Sequence, residues 1–248
     1  MGINEIVLTV SIVFMVRGGH NIGSGSGFFY TSGDKLFLVT NQHVMCDDQK
    51  GLIPDKLRLR LHTDVSNTKS NDNYEINLYS EDKPLWKIHP QFADADVALI
   101  ELDQIKIRQK FIIKAWSKES FLPKKYRLDP GEDVFVMGYP LRYYDTINNL
   151  PLFRNAMIAS TYRVYFRNNP LFLIDANLHK GISGSPVITK PKNAWVDDSD
   201  NVNFMTGNIY YLVGVISGKI DKKITSGQEI DLGASWYAEL IEDIALLF

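Results

Sequence analysis

Apolar residues in this chain come in short bursts broken by Gly, Pro, Asn and Asp, and Val, Ile, Thr and aromatic side chains recur in the bursts. That is strand chemistry, because β-branched and aromatic side chains pack well on a pleated surface. The pattern predicts strands at 6–16, 25–30, 36–40, 56–62, 74–78, 97–102, 134–138, 155–160, 171–175, 185–189 and 211–216. Many short strands with regular turn signals point to a sandwich or a barrel. Helical periodicity stands out in one place: Trp236, Leu240, Ile241, Ile244 and Leu247 recur at helical spacing, which predicts a C-terminal helix over 234–247 packed on the β core.

The connections are read the same way. The stretch 64–72, rich in Asn, Ser, Thr and Asp, predicts an exposed hairpin loop. The stretch 190–207 predicts a longer surface insertion; its Asp197, Asp198 and Asp200 lack the glycine and terminal glutamate of a calcium loop and are read as solvated charge. A Lys-, Ser- and Pro-rich segment at 115–129 predicts a crossing between two halves.

Composition narrows the function classes. With 45% hydrophobic and 23% charged residues, the chain has the balance of a soluble globular protein. Basic and acidic residues number 27 and 29, net −2, so neither nucleic acid nor a membrane is expected as a partner. Cys46 is the one cysteine, which excludes an intrachain disulfide and argues for a reducing compartment or a disulfide-free lineage. The apolar run 6–16 has no basic region before it and carries no small-residue cleavage site, so it is read as a strand and the expected localisation is cytoplasmic. It is also too short to span a bilayer, which takes about 20 apolar residues. Starting motifs for metal, dinucleotide or nucleotide sites are absent, so no cofactor and no metal are expected.

Three segments carry chemistry. A strand ends in Thr40-Asn41-Gln42-His43, preceded by Gly25-Ser26-Gly27. Asp94 and Asp96 stand at the mouth of the apolar strand that begins at Val97. Gly181-Ile182-Ser183-Gly184 sets a serine between glycines, with Ser185 as a competing hydroxyl. The order His, Asp, Ser is one of the few that build an acyl-transfer triad. A serine hydroxyl is a poor nucleophile until an imidazole takes its proton, and a carboxylate holds that imidazole in the right tautomer. Gly181 suits a turn that must aim two backbone N–H groups, its own and that of Ser183, at a developing oxyanion.

At these residues the chain resembles the trypsin-like (chymotrypsin-fold) serine peptidases, and in particular the disulfide-free bacterial HtrA-like branch, here without a PDZ region. The segments Pro130-Gly131-Glu132 to Gly138-Tyr139-Pro140 and Tyr211 to Gly218 add to the likeness. The resemblance implies an all-β fold of two packed antiparallel six-stranded β-barrels with a C-terminal α-helix. Its boundaries would be an N-terminal barrel at 1–115 carrying His43 and Asp96, a link at 116–128, a C-terminal barrel at 129–233 carrying Ser183, and the helix at 234–248. It favours Asp96 over Asp94 and Ser183 over Ser185, and it implies an oxyanion hole from Gly181 and Ser183. It also implies a specificity pocket with Asn177 at its floor and Leu178 beside it, faced by Ser217, Gly218 and Lys219. No carboxylate stands at Asn177, so a neutral side chain is expected before the cut, and Lys180 and Lys219 at the rim would favour acidic substrates. Cleavage-activated trypsins carry an acid just before the nucleophile; Ile182 stands there, which argues against activation by an inserted N-terminus.

The expected activity is that of a serine endopeptidase acting on a protein or peptide substrate through an acyl-enzyme, with a regulatory protein partner left open. The alternatives are a trypsin-fold binding module without turnover and an effector domain activated by a partner. Decayed peptidases usually lack a triad member or the oxyanion glycine, and this chain lacks neither.

Overall fold

The computed structural model describes residues 4–219 and 231–248. Its first half holds β1 (Val10–Arg17), β2 (His20–Ser32), β3 (Lys35–Thr40), the short helix α1 (Gln42–Met45), β4 (Lys56–His62) and β5 (Asn71–Asn77). A small hairpin of β6 (Tyr79–Ser80) and β7 (Lys83–Pro84) follows, then β8 (Trp86–Ile88), β9 (Ala98–Leu102) and helix α2 (Gln104–Lys110). The second half holds β10 (Asp133–Gly138), β11 (Leu152–Ile158), β12 (Leu171–Asp175), β13 (Pro186–Thr189), the hairpin β14 (Ala194–Val196) and β15 (Val202–Phe204), β16 (Leu212–Lys219), β17 (Leu232–Tyr237) and helix α3 (Glu239–Ala245). The first half is an antiparallel sheet in the order β5-β4-β1-β2-β3-β9-β8, and the second closes as the barrel β10-β11-β12-β17-β16-β13. The expected trypsin-like, mostly β architecture is observed. Six strands close the C-terminal barrel, whereas the N-terminal sheet has seven because the three-residue β8 adds to the free edge of β9.

Side-chain alternation explains where the strands sit. In β4, Leu57, Leu59 and Leu61 are buried while the Arg58 and Arg60 positions are less so, the signature of a sheet with one dry face. In β3 both faces are dry. Leu36 and Leu38 enter the core of the first half, and Phe37 and Val39 enter a core shared with Met137, Tyr139 and Trp236 of the second half. This shared core fixes the two halves against each other, and truncating a fully buried residue such as Phe37 to alanine would cost about 3–5 kcal/mol.

Several boundaries differ from expectation, each for a local reason. Residues Glu5–Thr9 form a 3-10 turn, started by the Asn4 side chain accepting from Ile6 N at 3.1 Å, so the first strand begins only at Val10. The C-terminal helix begins at Glu239 and not at 234, because Leu171–Asp175 and β16 both recruit Leu232–Tyr237 as a strand that closes the barrel. The 233/234 boundary therefore falls inside β17, and Trp236 belongs to a strand. Helix α2 was not anticipated; the Asp103 side chain caps it by accepting from Lys106 N at 2.9 Å. The surface insertion folds as the β14–β15 hairpin over buried Trp195, with the Asp197 carboxylate accepting from Ser199 N and Asn201 N at its turn.

The crossing segment is stitched to both halves. Trp116 pairs with β2 through Trp116 N to Phe29 O and Thr31 N to Trp116 O, and Phe121 bridges to Leu212. Helix α3 then returns to the first half. Its Leu240, Ile241 and Ile244 enter the shared core, and Glu242 accepts from Tyr30 Oη at 2.6 Å and Ser32 Oγ at 3.2 Å. Among the described residues no helix is long and apolar enough to cross a membrane.

Candidate active site

Strand register brings the imidazole and the carboxylate together. β3 and β9 are antiparallel with Thr40 opposite Ala98, so His43, three residues past one end, and Asp96, two residues before the other, emerge side by side. His43 Nδ1 lies 2.7 Å from Asp96 Oδ2, and the His43 backbone N–H donates to Asp96 Oδ1 at 3.0 Å. The Asn41 side chain donates to the Asp96 carbonyl at 2.5 Å and pins the loop itself. With Nδ1 donating to the carboxylate, His43 Nε2 carries the lone pair and takes no hydrogen bond from the described residues.

The Asp96 side chain is largely buried, which by itself would raise its pKa. The His43 hydrogen bond and charge, with the Ser217 hydroxyl and the His43 amide, outweigh that and hold the carboxyl below its ordinary range. Ser217 reaches Asp96 because of a bulge. β16 pairs Ile216 with Ser235 and Gly218 with Ala234, leaving Ser217 as the extra residue, re-aimed so that its Oγ donates to Asp96 Oδ2. Its carbonyl accepts from Ser183 Oγ at 3.1 Å. Ser183 is thus joined to the His43–Asp96 pair through Ser217, and its hydroxyl rests on that carbonyl rather than on His43.

The Ser183 turn, between β12 and β13, is built against β2. Ser26 N donates to Ser183 O at 2.8 Å, and the fully buried Ser26 hydroxyl donates to Gly181 O at 2.9 Å while accepting from Tyr139 N at 3.0 Å. At Gly184, with φ +81°, a Cβ would sit 2.2 Å from Ser26 O and 2.3 Å from Thr40 Oγ1, so no side chain fits. Gly181 has φ +90°, and a Cβ there would lie 2.7 Å from Tyr139 O. Lys180 O accepts from Leu141 N at 2.6 Å, so the trans peptide turns the Gly181 N–H to the opposite side. Among the described residues neither that N–H nor the Ser183 N–H has an acceptor.

The competing residues separate cleanly in space. Ser185 is fully buried and its Oγ has no hydrogen-bond partner, and Asp94 is exposed. The implied specificity pocket fares less well. Leu178 packs in the core of the C-terminal barrel at 2% exposure, beside Gly233, so it is not a substrate-facing wall. An apolar side chain there is drawn inward, and its neighbour Asn177 is left exposed. Gly218 lies in the bulge at φ +143°, Lys180 is exposed at the turn, and the side chain of Lys219 lies outside the described residues.

A cleft of about 510 Å³ opens beside Ser183 and His43, lined also by Gly23, Ser24, Leu52, Leu141, Arg142 and Lys180. Cys46 is half-buried at the end of α1, where burial and Asp48 push its thiol pKa up. Among the described residues no group of three or more His, Cys, Asp and Glu side chains is placed to hold a metal. Sequence reasoning missed Ser26 and the second role of Ser217. The glycines flanking Ser26 were the available signal, since they let β2 approach the Ser183 turn.

Comparison with known proteins accords with this architecture. A family model described as a trypsin-like peptidase domain matches residues 25–196, more than half of the chain. No curated protein matches. Among solved structures, a serine endoprotease from Yersinia pestis superposes with a TM-score of 0.56 at 15% identity, covering 97% of this chain and 62% of that one. The chain therefore spans less than two thirds of that protein. The Rv3671c protease of M. tuberculosis, in an inactive form, gives a TM-score of 0.50 at 16% identity over 97% of this chain and 89% of its own. At these identities the likeness is one of fold.

Proposed function

Because the chain belongs to the trypsin-like peptidase domain family, we propose that it is a serine endopeptidase in which Ser183 is the nucleophile, His43 the general base and Asp96 the group that orients His43. The observation that carries this reading is the His43 Nδ1–Asp96 Oδ2 contact of 2.7 Å beside a serine on a glycine turn. Asp96 keeps Nδ1 protonated and leaves Nε2 basic. For attack, the Ser183 hydroxyl leaves Ser217 O and donates to Nε2. His43 takes the proton as Oγ attacks the scissile carbonyl, and Asp96 stabilises the imidazolium that forms. The unpartnered N–H groups of Gly181 and Ser183 supply donors for the oxyanion, a contribution typically worth 10²- to 10³-fold per donor. His43 then returns the proton to the leaving amine, and water repeats the sequence on the acyl-enzyme.

One observation favours a second reading, an effector domain switched on by a partner: the Ser183 hydroxyl donates to Ser217 O, away from His43. Both readings are separated by a fluorophosphonate probe with site mapping. Labelling of Ser183 in the isolated wild-type protein, lost in Ser183→Ala, supports a constitutive enzyme. Absence of labelling until a partner is added supports the switched domain. Labelling at Ser185 instead would overturn the assignment. The single free thiol, Cys46, leads us to place the protein in a reducing compartment.

A further inference from the structure

The cleft beside Ser183 has a charge pattern that the triad does not account for. Three cationic side chains line it, Lys50, Arg142 and Lys180, against one carboxylate, Asp47. Lys50 takes that carboxylate at 3.0 Å, which leaves Arg142 and Lys180 with no acidic partner among the described residues. Arg142 is nonetheless positioned. Its Nε donates to Ser24 Oγ at 2.9 Å across the junction of the two halves, and among the described residues its terminal guanidinium nitrogens have no partner. The turn that presents it is strained, with Leu141 at φ +53° and Arg142 at φ +56°, a left-handed conformation that side-chain-bearing residues seldom adopt. Met15, Leu52 and Leu141 supply apolar surface between the charges.

Chemistry tells which part of a substrate would enter. The group that protonates the leaving amine is His43, so the residues after the cut pass over His43, and this cleft is walled by His43 and by Asp47, Lys50 and Leu52 just beyond it in the chain. Neither Ser217, Gly218 nor Asn177 lines it. We propose that the cleft is the subsite for the leaving-group side of the substrate and that it selects a carboxylate, from Asp, Glu or a chain terminus, within the first three or so residues after the cut. This rests on the peptidase reading above. Arg142 offers paired N–H donors to such a carboxylate and Lys180 a point charge.

The test is a mass-spectrometric cleavage profile of a proteome-derived peptide library by the wild-type protein, by Arg142→Gln/Lys180→Gln and by Arg142→Glu/Lys180→Glu. The readout is the ratio of acidic to basic residues after the cut, which is insensitive to overall rate. The wild type enriches Asp and Glu about threefold, as expected for contacts to exposed charges, the Gln pair loses the enrichment and the Glu pair inverts it. Matched substrates ending in a free carboxylate or in an amide distinguish a chain terminus from a side chain. Wild-type cleavage without acidic enrichment, or enrichment that survives in the Gln pair, overturns the proposal. If the fluorophosphonate fails to label the isolated wild type, the constitutive peptidase reading falls and the cleft is tested by binding alone. Ser183→Ala should then bind a rhodamine-labelled Ala-Ala-Asp-Glu-Ala peptide more tightly than its Asn/Gln counterpart, with the difference abolished by the Gln pair. Equal binding of the two peptides overturns it.

Discussion

Gly181→Ala isolates the oxyanion turn from the rest of the site. The glycine sits at φ +90°, where an L-residue is disfavoured by roughly 1–2 kcal/mol. The added methyl would lie 2.7 Å from Tyr139 O and 3.2 Å from Leu141 N, below or at the edge of real Cβ contacts. Both neighbours are backbone atoms, so no rotamer change relieves the clash and the turn itself must move. Displacement of the Lys180–Gly181 peptide by half an ångström or a modest rotation takes its N–H out of line with an oxyanion, because such bonds weaken steeply off axis. Loss of one donor costs about 2.7–4 kcal/mol of transition-state stabilisation, or about 10²- to 10³-fold in kcat. The backbone term should lower the Tm by a few degrees, since about 1 kcal/mol shifts a domain of this size by about 2–4 °C. The assay is kcat on one reporter peptide and the rate of fluorophosphonate labelling, with a thermal melt to confirm the fold. A folded Gly181→Ala protein labelled within threefold of the wild-type rate would refute the reasoning, because the Gly181 N–H would then not be an oxyanion donor.

Asp96→Asn should lower kcat by about 10⁴-fold through the wrong His43 tautomer, whereas exposed Asp94→Asn should be mild; a severe Asp94 effect beside a mild Asp96 one, on the same peptide, would reverse the assignment. Ser217→Ala removes a hydroxyl donated to the Asp96 carboxylate and should cost about tenfold in kcat, roughly 1.5 kcal/mol for a charge-assisted bond; unchanged turnover would show that the bond does not orient the pair. The folded Asp96 carboxyl titrates below its unfolded value of about 3.9, so its stabilising contribution is full above that pH and is lost as the pH falls through the lowered folded value. The Tm gap between wild type and Asp96→Asn should accordingly narrow below about pH 4, and a gap constant from pH 7 to 3 would contradict this.

Much of the molecule follows from local pattern. The alternation in β4 and the continuous apolar run of β3 are set by which faces must be dry, and glycine at 181 and 184 answers a steric demand that a single turn imposes. Residue types in the order His43, Asp96, Ser183 likewise carry their chemistry in the chain itself. Other features depend on partners far away in sequence. Leu232–Tyr237 has enough helical spacing to read as helix, yet two open strand edges satisfy more of its backbone groups, and the barrel closes on it. Leu178 could not be told from a pocket wall until the core of the C-terminal barrel drew it in. Ser26, Ser217 and Arg142 act across 155, 121 and 118 residues respectively. No local signal announces such a contact, because the two ends meet only when register, a bulge and the packing of the two halves have been decided together.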